Sequence, residues 1–161
     1  MCIRDRDSEV QRENRKSAYN ERHNQLKRAE EILNVENLGS VKIDKLNKKK
    51  FDDPLIYNRA LHVVTENQRT KDAKNFMLKQ DMKQFGHLMN LSHLSYSQDF
   101  EASTEDVDLL TKRSIESGAL GCRLTGGGFG GFTVSLIAKK DYEQWYNKML
   151  KFYSKDKFFN V

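Results

Sequence analysis

Cysteine and proline are nearly absent from this chain. Its 161 residues hold two cysteines, Cys2 and Cys122, and one proline, Pro54. Two thiols do not make a disulfide framework, which sets aside the small stapled secreted folds. Cys122 falls in an apolar stretch, where a free thiol behaves as a small hydrophobe and suits a reducing cytoplasm. No obvious base stands near it in sequence, which argues against a catalytic thiol. Long apolar runs are missing too. None approaches the roughly 20 residues of a membrane span. The opening residues Met1-Cys2-Ile3-Arg4-Asp5-Arg6-Asp7 have no apolar core of a secretory signal. Internal repeats and low-complexity tracts are absent.

What remains is a polar but globular composition, 37% hydrophobic and 32% charged, long enough for one domain with a real core. The net charge of +5 raises nucleic-acid binding as one function class. Lys45, Lys48, Lys49 and Lys50 are the densest basic cluster. No nucleic-acid motif accompanies them, and they read as a solvated connection ahead of Phe51-Asp52-Asp53-Pro54.

The densest signal is glycine. Five of the nine glycines, Gly126, Gly127, Gly128, Gly130 and Gly131, fall within six residues. Such a run marks a tight loop that lets backbone approach a ligand closely. Gly126, Gly128 and Gly131 satisfy the spacing G-x-G-x-x-G, which signals a dinucleotide only between a strand and a helix. Here Phe132-Thr133-Val134-Ser135-Leu136-Ile137-Ala138 follows, a β-branched, alternating run that reads as a strand. The lysine of a P-loop is missing. The loop therefore joins two strands, Ala119–Thr125 and Phe132–Ala138. It is either a plain glycine hairpin or a nest of backbone N–H groups facing an anion.

Helical patterns flank this core. Tyr19, Leu26, Ala29 and Leu33 share one face of a helix expected from Ser8, its cap, to about Val35. The stretch from Asn37 to Pro54 reads as a connection. A second helix is expected over 58–79, with Leu61, Val64, Gln68, Phe76 and Met77 inward. A third begins near Asp81, with Met82, Phe85, Leu88 and Met89 inward. After a loop at 97–102, a fourth starts at Ser103, which with Asp106 has the capping-box pattern. Val107, Leu110 and Ser114 or Ile115 form its face, and Gly118 ends it. A fifth is expected from Asp141 to Phe152, burying Tyr142, Trp145, Met149 and Phe152. Phe158-Phe159-Asn160-Val161 reads as a last strand, cut short by the chain end. Helices followed by β-β-α-β argue for an α+β fold, helices packed on an antiparallel sheet.

Four ordered blocks carry a resemblance. Gly121-Cys122-Arg123-Leu124-Thr125-Gly126-Gly127-Gly128-Phe129-Gly130-Gly131-Phe132-Thr133-Val134 closely resembles the third signature motif of the galactokinases, of the GHMP small-molecule kinase superfamily. Ser17-Ala18-Tyr19-Asn20-Glu21-Arg22 is similar to its S-x-Y-N-x-R segment. His62-Val63-Val64-Thr65-Glu66-Asn67-Gln68-Arg69-Thr70 resembles its H-V-V-x-E-N-x-R helix. Phe85-Gly86-His87-Leu88-Met89-Asn90-Leu91-Ser92-His93 resembles its F-G-x-L-M-x-x-S-H segment. The likeness is to the C-terminal half only. It implies the GHMP kinase C-terminal domain, ferredoxin-like, over residues 8–161. Residues 1–7 match nothing in the pattern and are read as a non-native leader outside the fold.

The resemblance also implies a chemistry. Galactokinases transfer the γ-phosphoryl of ATP to the 1-hydroxyl of galactose with Mg²⁺, in the cytoplasm. No G-E-H-x-D-Y and no P-x-G-x-G-L-S-S-S segment occurs here. The family's base, and most of its ATP and Mg²⁺ contacts, belong to the other half, against which this domain is expected to pack. The chain alone is expected to be inactive. Gly126, Gly127, Gly128, Gly130 and Gly131 are expected beside the phosphates. Many relatives have Ala where Gly127 stands, a change that should loosen the loop. Many have Cys or Ser where the bulkier Phe132 stands. Tyr19 is the expected sugar contact, with a core role as its alternative. His62, His87 and His93 lack partners at metal-ligand spacing and read as structural or surface residues. Glu101, in Asp99-Phe100-Glu101, is expected to organise the start of the fourth helix. Alternatives are an N-acetylgalactosamine kinase, a non-catalytic galactokinase-like sugar sensor, and a basic nucleic-acid-binding domain.

Overall fold

In a computed structural model, residues 2–7 and 15–160 are described. Five helices and four strands follow in the order β1 (Cys2–Asp7), α1 (Arg15–Leu33), α2 (Pro54–Leu78), α3 (Met82–Gln98), α4 (Glu105–Ser117), β2 (Gly121–Leu124), β3 (Phe132–Ile137), α5 (Tyr142–Met149) and β4 (Phe158–Asn160). The sheet is antiparallel with strand order β2-β3-β1-β4, so the expected α+β class holds. Cys2–Asp7 lies inside it, paired with β3 and β4, although the sequence reading left residues 1–7 out of the fold. An extended segment there satisfies the open edges that β3 and β4 would otherwise present.

The two faces of β3 divide as alternation requires. Thr133, Ser135 and Ile137 are buried. On their side, Ser114 of α4 meets Ser135 Oγ at 2.7 Å, and Trp145 Nε1 donates to the Ser114 carbonyl at 3.1 Å. Ala119, Ile137, Trp145 and Met149 form one apolar cluster there. A second gathers Ala29, Leu38, Leu46, Phe51, Ile56, Ala60 and Val64 from α1, α2 and the connection between them. That connection is three short 3₁₀ turns, Leu38–Ser40, Ile43–Lys45 and Lys48–Lys50.

Several helix limits differ from expectation. The proposed Ser8 cap lies outside the described residues. α2 starts at Pro54 because Asp53 accepts from the Leu55 N–H at 2.8 Å and proline suits the first turn. Its far end leaves the core: Met77 and Leu78 are exposed, as is Gln68. Asp81 caps α3 through the Gln84 N–H. Thr104, not Ser103, caps α4; Ser103 instead donates to Asp108 Oδ1 at 2.5 Å. Of the two candidates on α4, Ser114 is buried and Ile115 exposed. Gly118 closes α4 at φ 118°. α5 ends at Met149, so Phe152 is exposed.

Candidate functional site

The glycine hairpin joins β2 to β3, in register Gly121↔Leu136 through Leu124↔Thr133. Gly126, Gly128, Phe129, Gly130 and Gly131 all have φ between 57° and 99°. Left-handed Gly126 and Gly128 flank Gly127, whose φ is not positive, and such an alternation turns successive N–H groups to one side, as in an anion nest. The N–H groups of Gly126, Gly127, Gly128 and Gly130 make no hydrogen bond to another described residue. Gly128 and Gly130 are buried, so those two unpaired donors are costly as they stand.

Tyr19 projects from α1 beside this loop. A Cβ on Gly127 would lie 3.9 Å from Tyr19 Cδ2. Tyr19 is 59% exposed, so its phenol is available to a ligand, and the core alternative does not describe it. Phe132 packs edge-on against Phe159, centroids 5.9 Å apart.

The hairpin rests on the loop between α3 and α4. The Phe129 N–H donates to the Ala102 carbonyl at 2.6 Å. Gly128 sits so close to Ala102 that a Cβ would fall 2.4 Å from that same oxygen. The α3–α4 loop is in turn held by two arginines. Arg59, 1% exposed, reaches the Asp99 carbonyl at 2.5 Å and Glu101 Oε2 at 2.6 Å. Arg22 reaches the Phe100 carbonyl at 2.7 Å and the Glu101 carbonyl at 3.0 Å. Burial and the neighbouring Arg59 guanidinium lower the Arg22 pKa. Glu101 has φ 49°, a strained backbone for a non-glycine residue. Its carboxylate pairs with Arg59 in the loop ahead of α4, whose entry Thr104 caps; sequence reading did not single out the two arginines. The available signal was Arg59 itself, a charge three residues before His62 on the buried stripe of α2.

A second polar hub joins the motif blocks. Ser92 Oγ donates to Glu66 Oε1 at 2.6 Å, Arg123 reaches the same oxygen at 3.1 Å, and Arg69 reaches Oε2 at 3.0 Å. Burial alone would raise the Glu66 pKa; Ser92 and the two arginines outweigh it and hold the carboxyl below its usual range. A cavity of about 240 Å³ flanks this hub, lined by Phe85, Met89 and Leu136 as well. It adjoins Glu66 and not the glycine loop.

The histidines divide as well. His62 is buried, stacked on Phe100 with centroids 4.8 Å apart, with Nδ1 3.0 Å from Ser95 Oγ. Ser95 donates its proton to Asp99 Oδ2 at 2.7 Å, which makes His62 Nδ1 the donor to Ser95. Burial lowers the His62 pKa to about 4. His93 is buried with its pKa also lowered by burial; Nε2 lies 3.1 Å from Asp108 Oδ1, without hydrogen-bond alignment. His87 is exposed. Among the described residues no three His, Cys, Asp or Glu side chains group to hold a metal. No helix there is long and apolar enough to cross a membrane. Cys122 is fully buried, and burial pushes its thiol pKa up.

A family model described as "GHMP kinases C terminal" matches residues 73–155, which is 83 of 161 residues. The chain belongs to the GHMP kinase C-terminal family. Curated relatives include the galactokinases of Clostridium acetobutylicum, 39% identical over 84% of this chain, and Fusobacterium nucleatum, 40% identical over 78%. The chain spans only 36% and 34% of those two proteins. Among solved structures, Lactococcus lactis galactokinase complexed with galactose matches 99% of the chain and 44% of its own, at TM-score 0.90 and 27% identity. L. major mevalonate kinase in complex with R-mevalonate matches at TM-score 0.62 and 17% identity, a likeness of fold alone. The GHMP motif residues thus fall into a glycine hairpin, its supports, and the Glu66 hub.

Proposed function

We propose that this chain is the C-terminal part of a galactokinase that works in the cytoplasm. In that reaction the 1-hydroxyl oxygen of galactose attacks the γ-phosphorus of ATP, the bond to the β-phosphate oxygen breaks, and ADP leaves. The hydroxyl proton goes to a base outside these 161 residues. The observation that carries the reading is the glycine hairpin, with four N–H groups unpartnered among the described residues beside the exposed Tyr19 phenol. Those donors would bind phosphate oxygens and the negative charge that spreads over them during transfer. Tyr19 would hydrogen-bond the sugar. ATP suits this donor set. Among the described residues no three His, Cys, Asp or Glu side chains group to hold Mg²⁺.

The test is a chimera. This chain replaces the matching part of the C. acetobutylicum galactokinase, and ADP release is followed with ATP and galactose. Turnover that needs both supports the reading, with the chain alone showing none above a protein-free control. Transfer to N-acetylgalactosamine and not to galactose would name a different sugar kinase, and sugar binding without turnover by the folded chimera would point to a sensor. In the active chimera Tyr19→Phe should weaken galactose binding by about 0.5–1.5 kcal/mol, roughly two- to tenfold, and leave ATP binding unchanged.

A further inference from the structure

Arg22 reaches from α1 to both the glycine hairpin and the loop beneath it. Its Nε and Nη2 donate to the carbonyls of Phe100 and Glu101 at 2.7 and 3.0 Å. The same guanidinium lies over the Phe129 ring, 5.8 Å from its centroid. Phe129 is the hairpin residue whose N–H binds Ala102, one residue beyond Glu101. The strained φ of 49° at Glu101 needs holding, since a left-handed non-glycine residue persists only where its surroundings fix it. Arg59 also holds it, through Glu101 Oε2 at 2.6 Å. We propose that Arg22 is a positioning residue that fixes the glycine hairpin in its left-handed form by clamping residues 99–102 under it and Phe129 above them.

The proposal rests on the reading of the hairpin as a phosphate site only for its consequence. If that reading holds, Arg22 pre-organises the N–H donors without touching the phosphates. The planar fork matters. Two donors in fixed geometry reach two successive carbonyls while the guanidinium face meets a ring, which a lysine does not reproduce.

The test is amide hydrogen exchange on the 161-residue chain without nucleotide, so its result stands apart from any phosphate binding. Arg22→Met should speed exchange at least tenfold at the hydrogen-bonded amides of Asp99, Phe100 and Ala102 and, most directly, at Phe129. The amides of Cys122 and Leu136, in the sheet, should keep their protection. Arg22→Lys should recover little of it. Unchanged exchange in both loops, a uniform rise across the sheet, or full recovery by lysine would overturn the proposal. Should Arg22→Met not fold, Phe129→Leu decides. It keeps the Phe129 N–H bond to the Ala102 carbonyl and removes the ring that the Arg22 guanidinium covers. At least threefold faster exchange in the same two loops supports the clamp, and unchanged exchange refutes it.

Discussion

Two adjacent glycines in the hairpin have opposite reasons to be glycine. Gly128 combines φ 87° with a Cβ position 2.4 Å from the Ala102 carbonyl oxygen. Gly127 is not left-handed, and its Cβ position meets nothing nearer than Tyr19 at 3.9 Å. Gly127→Ala should therefore leave the fold intact and add about 0.4–1 kcal/mol by restricting the unfolded chain. Gly128→Ala should cost about 2 kcal/mol or more, from left-handed strain plus displacement of the supporting loop. Urea unfolding of the two variants checks this, and equal effects would mean that the hairpin is not seated on Ala102. A Cβ is thus accommodated at Gly127 and not at Gly128, a difference that glycine density alone does not reveal. Tyr19 shows the reverse limit. Helical periodicity places it on the stripe with Leu26 and Ala29, yet α1 runs past its packing partner there, and the ring is left exposed beside the hairpin.

At the scale of elements, α3 completes the sheet as a substitute strand. β2 pairs with β3 on one side only. On its other side Asn90 Oδ1 accepts from the Cys122 N–H at 2.9 Å, and His93 Nδ1 accepts from the Leu124 N–H at 3.4 Å. Helix and strand approach this closely because Gly86 meets Gly121. A Cβ on Gly121 would lie 2.3 Å from the Gly86 carbonyl oxygen. Asn90→Ala should leave the Cys122 N–H buried and unpaired, at a cost of about 1–3 kcal/mol. A shift in the urea midpoint at constant slope would confirm it, and no shift would mean that water or backbone replaces the amide. This seam was not legible in the sequence, since it depends on side chains meeting a strand about 30 residues downstream. The elements themselves largely were. Glycine density and the alternation of Phe132–Ile137 located the hairpin, and Asp81 and Gly118 marked helix limits. Errors fell where apolar periodicity outlasts its partner, at Met77 and at Phe152. Cys2–Asp7 was missed because its charged alternation has no strand signal of its own; pairing between β3 and β4 supplies the structure.

At the scale of the whole molecule, stability should fall in mild acid well before the carboxylates titrate. His62 sits 6% exposed among Tyr96, Phe100 and Ser95, and its pKa is lowered to about 4. Unfolded, it would titrate near 6.5. Between those values the unfolded chain binds the proton and the folded one does not, so stability is full above pH 6.5 and declines toward pH 4. A gap of that size corresponds to on the order of 3 kcal/mol lost by pH 4. His93 is lowered in the same direction and adds to the slope. Glu66 acts in a different window. Its depressed pKa stabilises above its ordinary value of 4.5 and is lost only as pH falls below that. The two contributions separate by substitution. His62→Gln keeps a polar group near Ser95 but does not titrate. Between pH 7 and 5 its unfolding free energy should change much less than that of the unaltered chain, whatever its absolute stability. Urea unfolding at pH 7, 6 and 5 measures both slopes. Equal slopes would place the proton on His62 in the folded state and would contradict its packing between Tyr96 and Phe100.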